Sequence, residues 1–138
     1  MKKPRSIYVI DDDKCARDSL ELLLTSAGHD VVIFSDGETF LQRSATLTSG
    51  IAILDLRMPG VCGLDVLMRL PPHIRAFLHS GNLSAHEKIR AMDNGAIGIL
   101  EKPCPPSRLL AEIKDASSAW ESSSAFSMHR LTASVLIA

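Results

Sequence analysis

Apolar and polar positions follow two different rhythms along the chain. Short, mostly apolar runs (Ile7-Tyr8-Val9-Ile10, Val31–Phe34, Ile51-Ala52-Ile53-Leu54, Ala76-Phe77-Leu78-His79 and Ile97–Leu100) are each cut off by polar residues. Runs apolar at nearly every position, instead of every second one, predict strands buried on both faces, as in a parallel sheet. Between them the spacing becomes helical. Ala16, Leu20, Leu23, Leu24 and Ala27 fall at i, i+4, i+7, i+8 and i+11, with Gly28 as the stop. Ser35 with Glu38, and Ser84 with Glu87, have the spacing of capping boxes. The first would open a helix carrying Phe40 and Leu41, the second a helix carrying Ile89 and Met92 that Gly95 closes. Gly63–Leu70 reads as a helix ended by Pro71-Pro72, and Pro105-Pro106 precede a last helix with Leu109, Leu110, Ile113 and Ala116 on one face.

Five strands alternating with five helices predict an α/β fold: a doubly wound, five-stranded parallel sheet of flavodoxin-like type, with strand order 2-1-3-4-5. Right-handed crossovers put every strand C-terminus on one edge, where α/β folds build their sites. The pattern sets a domain over residues 5–116 and a serine-rich tail over 117–138. That tail has only Glu121 and Arg130 formally charged, ends in Val135-Leu136-Ile137-Ala138, and shows no firm helical period.

A hydrophobic content of 46% against 22% charged residues supports a folded core and excludes a disordered chain. Fifteen basic against sixteen acidic residues leave a net charge of −1, so no global field draws the molecule to nucleic acid or an anionic membrane. Cys15, Cys62 and Cys104 form an odd set without CxxC spacing, which fits a reducing compartment and a cytoplasmic location. The basic start Lys2-Lys3-Pro4-Arg5 is followed by an apolar run too short for a secretory signal, and no later stretch is long enough to span a bilayer.

The predicted strand ends carry the chemistry. Asp11, Asp12 and Asp13 follow the first strand, Asp55 the third, Ser80 the fourth and Lys102 the fifth. In the order 2-1-3-4-5 the first, third and fourth strands are neighbours, so carboxylates crowd beside a hydroxyl and an ammonium. Like charges within about 4–6 Å raise one another's pKa. A hard cation with oxygen ligands, most naturally Mg²⁺, resolves the conflict and leaves positions open for a phosphoryl group. Lys102 supplies a point charge for phosphate oxygens and Ser80 one more donor. Asp13 reads as a helix cap. His79 faces away from Ser80, since adjacent strand residues alternate, so the pair makes no nucleophile and base. Nothing basic is spaced to activate Cys62, and no GxGxxG or GxxxxGK[ST] string occurs.

Four strings occur in order: Val9-Ile10-Asp11-Asp12-Asp13, Leu54-Asp55-Leu56-Arg57-Met58-Pro59-Gly60, His79-Ser80-Gly81 and Glu101-Lys102-Pro103. Together they resemble a response-regulator receiver domain of two-component signalling, above all receivers of nitrogen-fixation-type transcription regulators. The resemblance implies Asp55 as phosphoacceptor, with Lys102 and Ser80 assisting. It further implies Asp12, Asp55 and the backbone carbonyl of Arg57 as Mg²⁺ ligands, Asp11 helping through water, and a cis peptide at Lys102-Pro103. The donor would be a sensor histidine kinase or a histidine phosphotransfer protein, and the output a downstream protein partner. Such a domain promotes its own phosphorylation and dephosphorylation but is not an enzyme with a separate substrate.

One position departs from the pattern. Ile99 stands three before the lysine, where many receivers carry an aromatic that swings inward on activation. The signal would then leave through the loop Gly81–Ser84 or the helix Ser84–Gly95. Arg57 and Asn82, two past Asp55 and Ser80, would tune the lifetime of the phosphorylated state. A haloacid-dehalogenase-type phosphatase is disfavoured, because Arg57 occupies the place of its second acid. Two alternatives stay open: a non-phosphorylated receiver-like interaction module, and the receiver of a longer DNA-binding regulator. About twenty residues after the last helix are too few for a helix-turn-helix domain with its own core, so no direct nucleic-acid contact by this chain is expected. The apolar end either packs on the sheet or mediates a homodimer.

Overall fold

A computed structural model describes residues 6–120. The basic start 1–5 and the tail from Glu121 onward, including its apolar end, lie outside the described residues. The chain runs β1 (Ser6–Ile10), α1 (Lys14–Ser26), β2 (Val31–Phe34), α2 (Gly37–Ser44), β3 (Gly50–Leu54), α3 (Gly63–Met68), β4 (Ile74–Ser80), α4 (Ala85–Asp93) and β5 (Gly98–Glu101). A fifth helix, α5, spans 106–120. All strands are parallel in the order β2-β1-β3-β4-β5, as the sequence pattern predicts.

The continuous apolar strands feed two cores, because successive side chains leave opposite faces of the sheet. Tyr8, Ile10, Ala52, Leu54 and Leu78 pack on one side with Phe40, Val66 and Ala91 of α2, α3 and α4. Ile7, Val9, Ile51, Ile53 and Phe77 pack on the other with Leu20 and Leu24 of α1 and Leu109 and Ile113 of α5. Strand burial therefore leaves the sheet little polar surface except at its two edges and its ends.

Several element ends differ from the pattern's expectation. The box expected at Ser35 and Glu38 does not form. Asp36, in extended backbone, caps α2 by accepting from Thr39 N at 2.7 Å, and its carboxylate is a stronger acceptor than a hydroxyl one residue too early. The box at Ser84 and Glu87 forms in both directions. β4 extends to Ser80, and β5 is Gly98–Glu101 instead of Ile97–Leu100, because pairing with β4 continues past the apolar run. The end of α3 at Met68 comes two residues before the expected end at Leu70. Finally, α5 continues past residue 116 to 120, with Trp120 packed on the α1–α5 core and the Arg75 guanidinium 5.8 Å from its ring centre.

Candidate functional site

Backbone hydrogen bonds between neighbouring strands hold the site residues in place. Asp11 N donates to Phe34 O at 3.1 Å, Asp55 N to Ile10 O at 3.0 Å, and Lys102 N to Ser80 O at 2.9 Å. The sheet thus fixes where each side chain starts, and the peptide Lys102-Pro103 is cis, as the resemblance implied. The loop after Asp55 turns back tightly: Gly63 N donates to Leu56 O at 2.9 Å. A Cβ at Gly63 would collide with the Asp55 carbonyl oxygen, so α3 can begin there only on a glycine.

The predicted residues Asp11, Asp12, Asp55, Arg57, Ser80 and Lys102 come together. Ser80 Oγ donates to Asp55 Oδ1 at 2.7 Å. Lys102 Nζ lies 2.9 Å from Asp11 Oδ2 and 3.6 Å from Asp55 Oδ2. Arg57 N donates to the same Asp55 Oδ1 at 3.2 Å. Asp11, Asp55 and Ser80 are buried, whereas Asp12 is exposed. One carboxylate oxygen from each of Asp11, Asp12 and Asp55 can lie within 4.8 Å of the others. Asp13 is the N-cap of α1, accepting from Cys15 N at 3.0 Å, and takes no part in that cluster.

Three carboxylates and the Lys102 ammonium set the electrostatics of the site. Burial, the largest influence, pushes the Asp11 carboxyl above its ordinary range, against the Asp13 amide and the Lys102 ammonium, with Asp55 adding repulsion. Burial also works against the charge on Lys102, yet Asp11 and Asp55 outweigh it and hold that ammonium above its usual value. Three carboxylates with hard oxygen donors, only one open to solvent, fit a small divalent cation such as Mg²⁺.

His79 lies on the opposite sheet face from Ser80, as strand alternation requires. It lines a groove of about 620 Å³ with Leu20, Leu23, Lys102 and Leu109. Ile99 pairs with Leu78 across β4 and β5 and packs on the α2–α4 core.

Three contacts were not foreseen from the sequence. Arg17 Nη1 donates to the Asp11 carbonyl at 2.9 Å. The Arg57 guanidinium reaches the β4–α4 loop, donating to Asn82 O at 2.7 Å, and pairs with Glu87 at 3.2 Å. Glu87 was legible only as half of a capping box, and its second partner lies thirty residues away in the chain. Asn82, whose carbonyl accepts from that guanidinium, has a φ of 51°, in the left-handed region.

Residues 7–114 match the family described as "Response regulator receiver domain". The chain is 41% identical over 113 residues to the transcriptional regulatory protein FixJ of Bradyrhizobium diazoefficiens, covering 80% of this chain and 55% of that protein. It thus spans about half the length of the curated relatives it matches. Full-length FixJ from B. japonicum superposes with a TM-score of 0.76 at 39% identity, over 83% of this chain and 58% of that one. A CheY-like receiver domain protein from Methanospirillum hungatei superposes at 0.82 with 24% identity, over 87% and 98% of the two chains, a likeness of fold. Among the described residues, no helix is long and apolar enough to cross a membrane.

Proposed function

Because the chain belongs to the response-regulator receiver family of two-component systems, we propose that it is a phosphorylation switch in which Asp55 accepts a phosphoryl group from a phosphohistidine. The observation that carries this reading is the convergence of Ser80 Oγ, Lys102 Nζ and the Arg57 amide on the one buried carboxylate of Asp55, beside two further acids. A carboxylate oxygen of Asp55 attacks phosphorus, the new O–P bond forms as the N–P bond to the donor imidazole breaks, and the imidazole leaves with that electron pair. The product is a mixed anhydride, which water later cleaves.

Lys102 is placed to neutralise charge on the transferring oxygens, and Ser80 to donate to them once its bond to Asp55 is given up. The carboxylates of Asp12 and Asp55 and the backbone carbonyl of Arg57 would hold a Mg²⁺, with Asp11 helping through water. When bound, that ion supplies further charge neutralisation at the phosphoryl oxygens. Arg57 N–H fixes the orientation of the acceptor carboxylate. The donor is a sensor histidine kinase or a histidine phosphotransfer protein in the cytoplasm, and the receiver unit extends over 5–116 together with the rest of α5.

A second reading concerns output. The match of 80% of this chain to 55% of a transcriptional regulatory protein is compatible with the receiver of a longer regulator. Incubation with phosphoramidate, a small N–P donor, tests the first reading. A slower-migrating species on phosphate-affinity electrophoresis is expected with Mg²⁺ and not with chelator. The same mobility under both conditions would overturn it.

A further inference from the structure

The contact between the phosphoacceptor loop and α4 has a geometry suited to transmission. The backbone N–H of Arg57 touches Asp55 Oδ1, while its side chain grips the segment that follows Ser80. Nη2 donates to the Asn82 carbonyl at 2.7 Å and to Glu87 Oε1 at 3.2 Å, and Nη1 donates to Oε2 at 3.3 Å. Glu87 Oε1 also accepts from Ser84 N at 2.9 Å, so one oxygen serves both the cap of α4 and the guanidinium.

We propose that the Arg57 side chain is a positioning residue that, by clasping Asn82 and Glu87, couples the state of Asp55 to the N-terminus of α4. The inference rests on the reading of Asp55 as phosphoacceptor. A phosphoryl group on one Asp55 oxygen removes the carboxylate charge and its capacity to accept from every donor gathered there. Ser80 Oγ is then drawn from Asp55 Oδ1 toward the charged phosphoryl oxygens, and Arg57 N is left on a weaker, uncharged acceptor. Ser80 begins one side of the clasp and Arg57 is the other, so a change at Asp55 acts on both ends of one short bridge. Coupling through this bridge needs no rotating aromatic, which suits a chain with Ile99, half-buried against the core beside Leu78, at that position. The clasp is exposed and charged, so it can be exchanged for water contacts at small energetic cost, as a switch requires.

The test uses the full chain and Mg²⁺ with beryllofluoride as the phosphoryl mimic, read by amide NMR shifts at residues 55–57 and 80, and separately at residues 85–93. In the unaltered protein both sets shift. In Glu87→Gln the amide keeps an acceptor for the Ser84 N–H but loses the charge that Arg57 grips. Shifts at 55–57 and 80 should persist while those along α4 largely disappear. Ser84→Ala removes the cap side chain and leaves the clasp, and should keep the α4 response. Loss of the α4 response in Ser84→Ala as well, or its retention in Glu87→Gln, overturns the clasp while leaving the phosphoacceptor reading intact. Silence at 55–57 and 80 in the unaltered protein overturns that reading, and the clasp with it.

Discussion

Ser80 donates its hydroxyl to Oδ1 of Asp55 across 2.7 Å, from the end of β4 to the residue just after β3, and both side chains are buried. A buried carboxylate deprived of such a donor is left partly unsatisfied. Ser80→Ala is expected to destabilise the metal-free protein by roughly 1.5–3 kcal/mol, the range for hydrogen bonds to charged groups. Urea unfolding at neutral pH checks this.

Asp12 is the exposed member of the acidic cluster and pairs with no cation among the described residues. Asp12→Ala relieves repulsion on the order of 1 kcal/mol at such separations in a water-like dielectric. Thermal melts should show the variant more stable than the unaltered chain in chelator. Millimolar Mg²⁺ is expected to raise the Tm of the unaltered chain and not that of the variant.

The His79 ring is held neutral. Burial, helped by the Lys102 charge and opposed by Asp55, lowers its pKa from 6.5 to about 4. The unfolded chain therefore takes up a proton at a pH where the folded chain does not. The stabilisation is fully present above 6.5 and is lost as pH falls through about 4. The shift corresponds to about 3 kcal/mol. His79→Leu, beside Leu20, Leu23 and Leu109 on the groove wall, should lose less stability between pH 7 and pH 4 than the unaltered protein does. Asp11, raised by burial, contributes stability at low pH that is lost as pH rises, and does so in both proteins. Urea midpoints across that range measure the difference.

Gly63 starts α3 under the backbone of the loop that follows Asp55, where a Cβ would meet the Asp55 carbonyl oxygen and come within 2.7 Å of Leu56 Cα. Backbone cannot yield as a flexible side chain does. Gly63→Ala is expected to cost about 1–3 kcal/mol and to displace the amide resonances of Asp55 and Leu56 more than those of β1.

The sequence made the sheet legible because its strands are buried on both faces, and a run such as Ile51–Leu54 is too short for a helix of ordinary length. The cluster was legible for the same reason: once strand order is known, a residue that ends a strand has a known address. Asp11, Asp55, Ser80 and Lys102 all meet where that argument puts them. Element ends were harder, since Asp36 and Ser35 compete to cap α2 and the outcome depends on one residue's backbone angles. The grip of Arg57 on Glu87 was not legible at all. It joins a loop to a helix through two flexible side chains, and no periodicity marks which exposed charges meet.

The account stands on Asp55 as the residue that receives the phosphoryl group. The direct measurement is to treat the chain with phosphoramidate and Mg²⁺, reduce it with borohydride, and map the product by peptide mass spectrometry. Borohydride converts an aspartyl phosphate to homoserine. The account predicts homoserine at position 55 and at no other aspartate, absent without Mg²⁺. Homoserine at Asp11 or Asp12 with none at 55, or an unmodified chain, would contradict it.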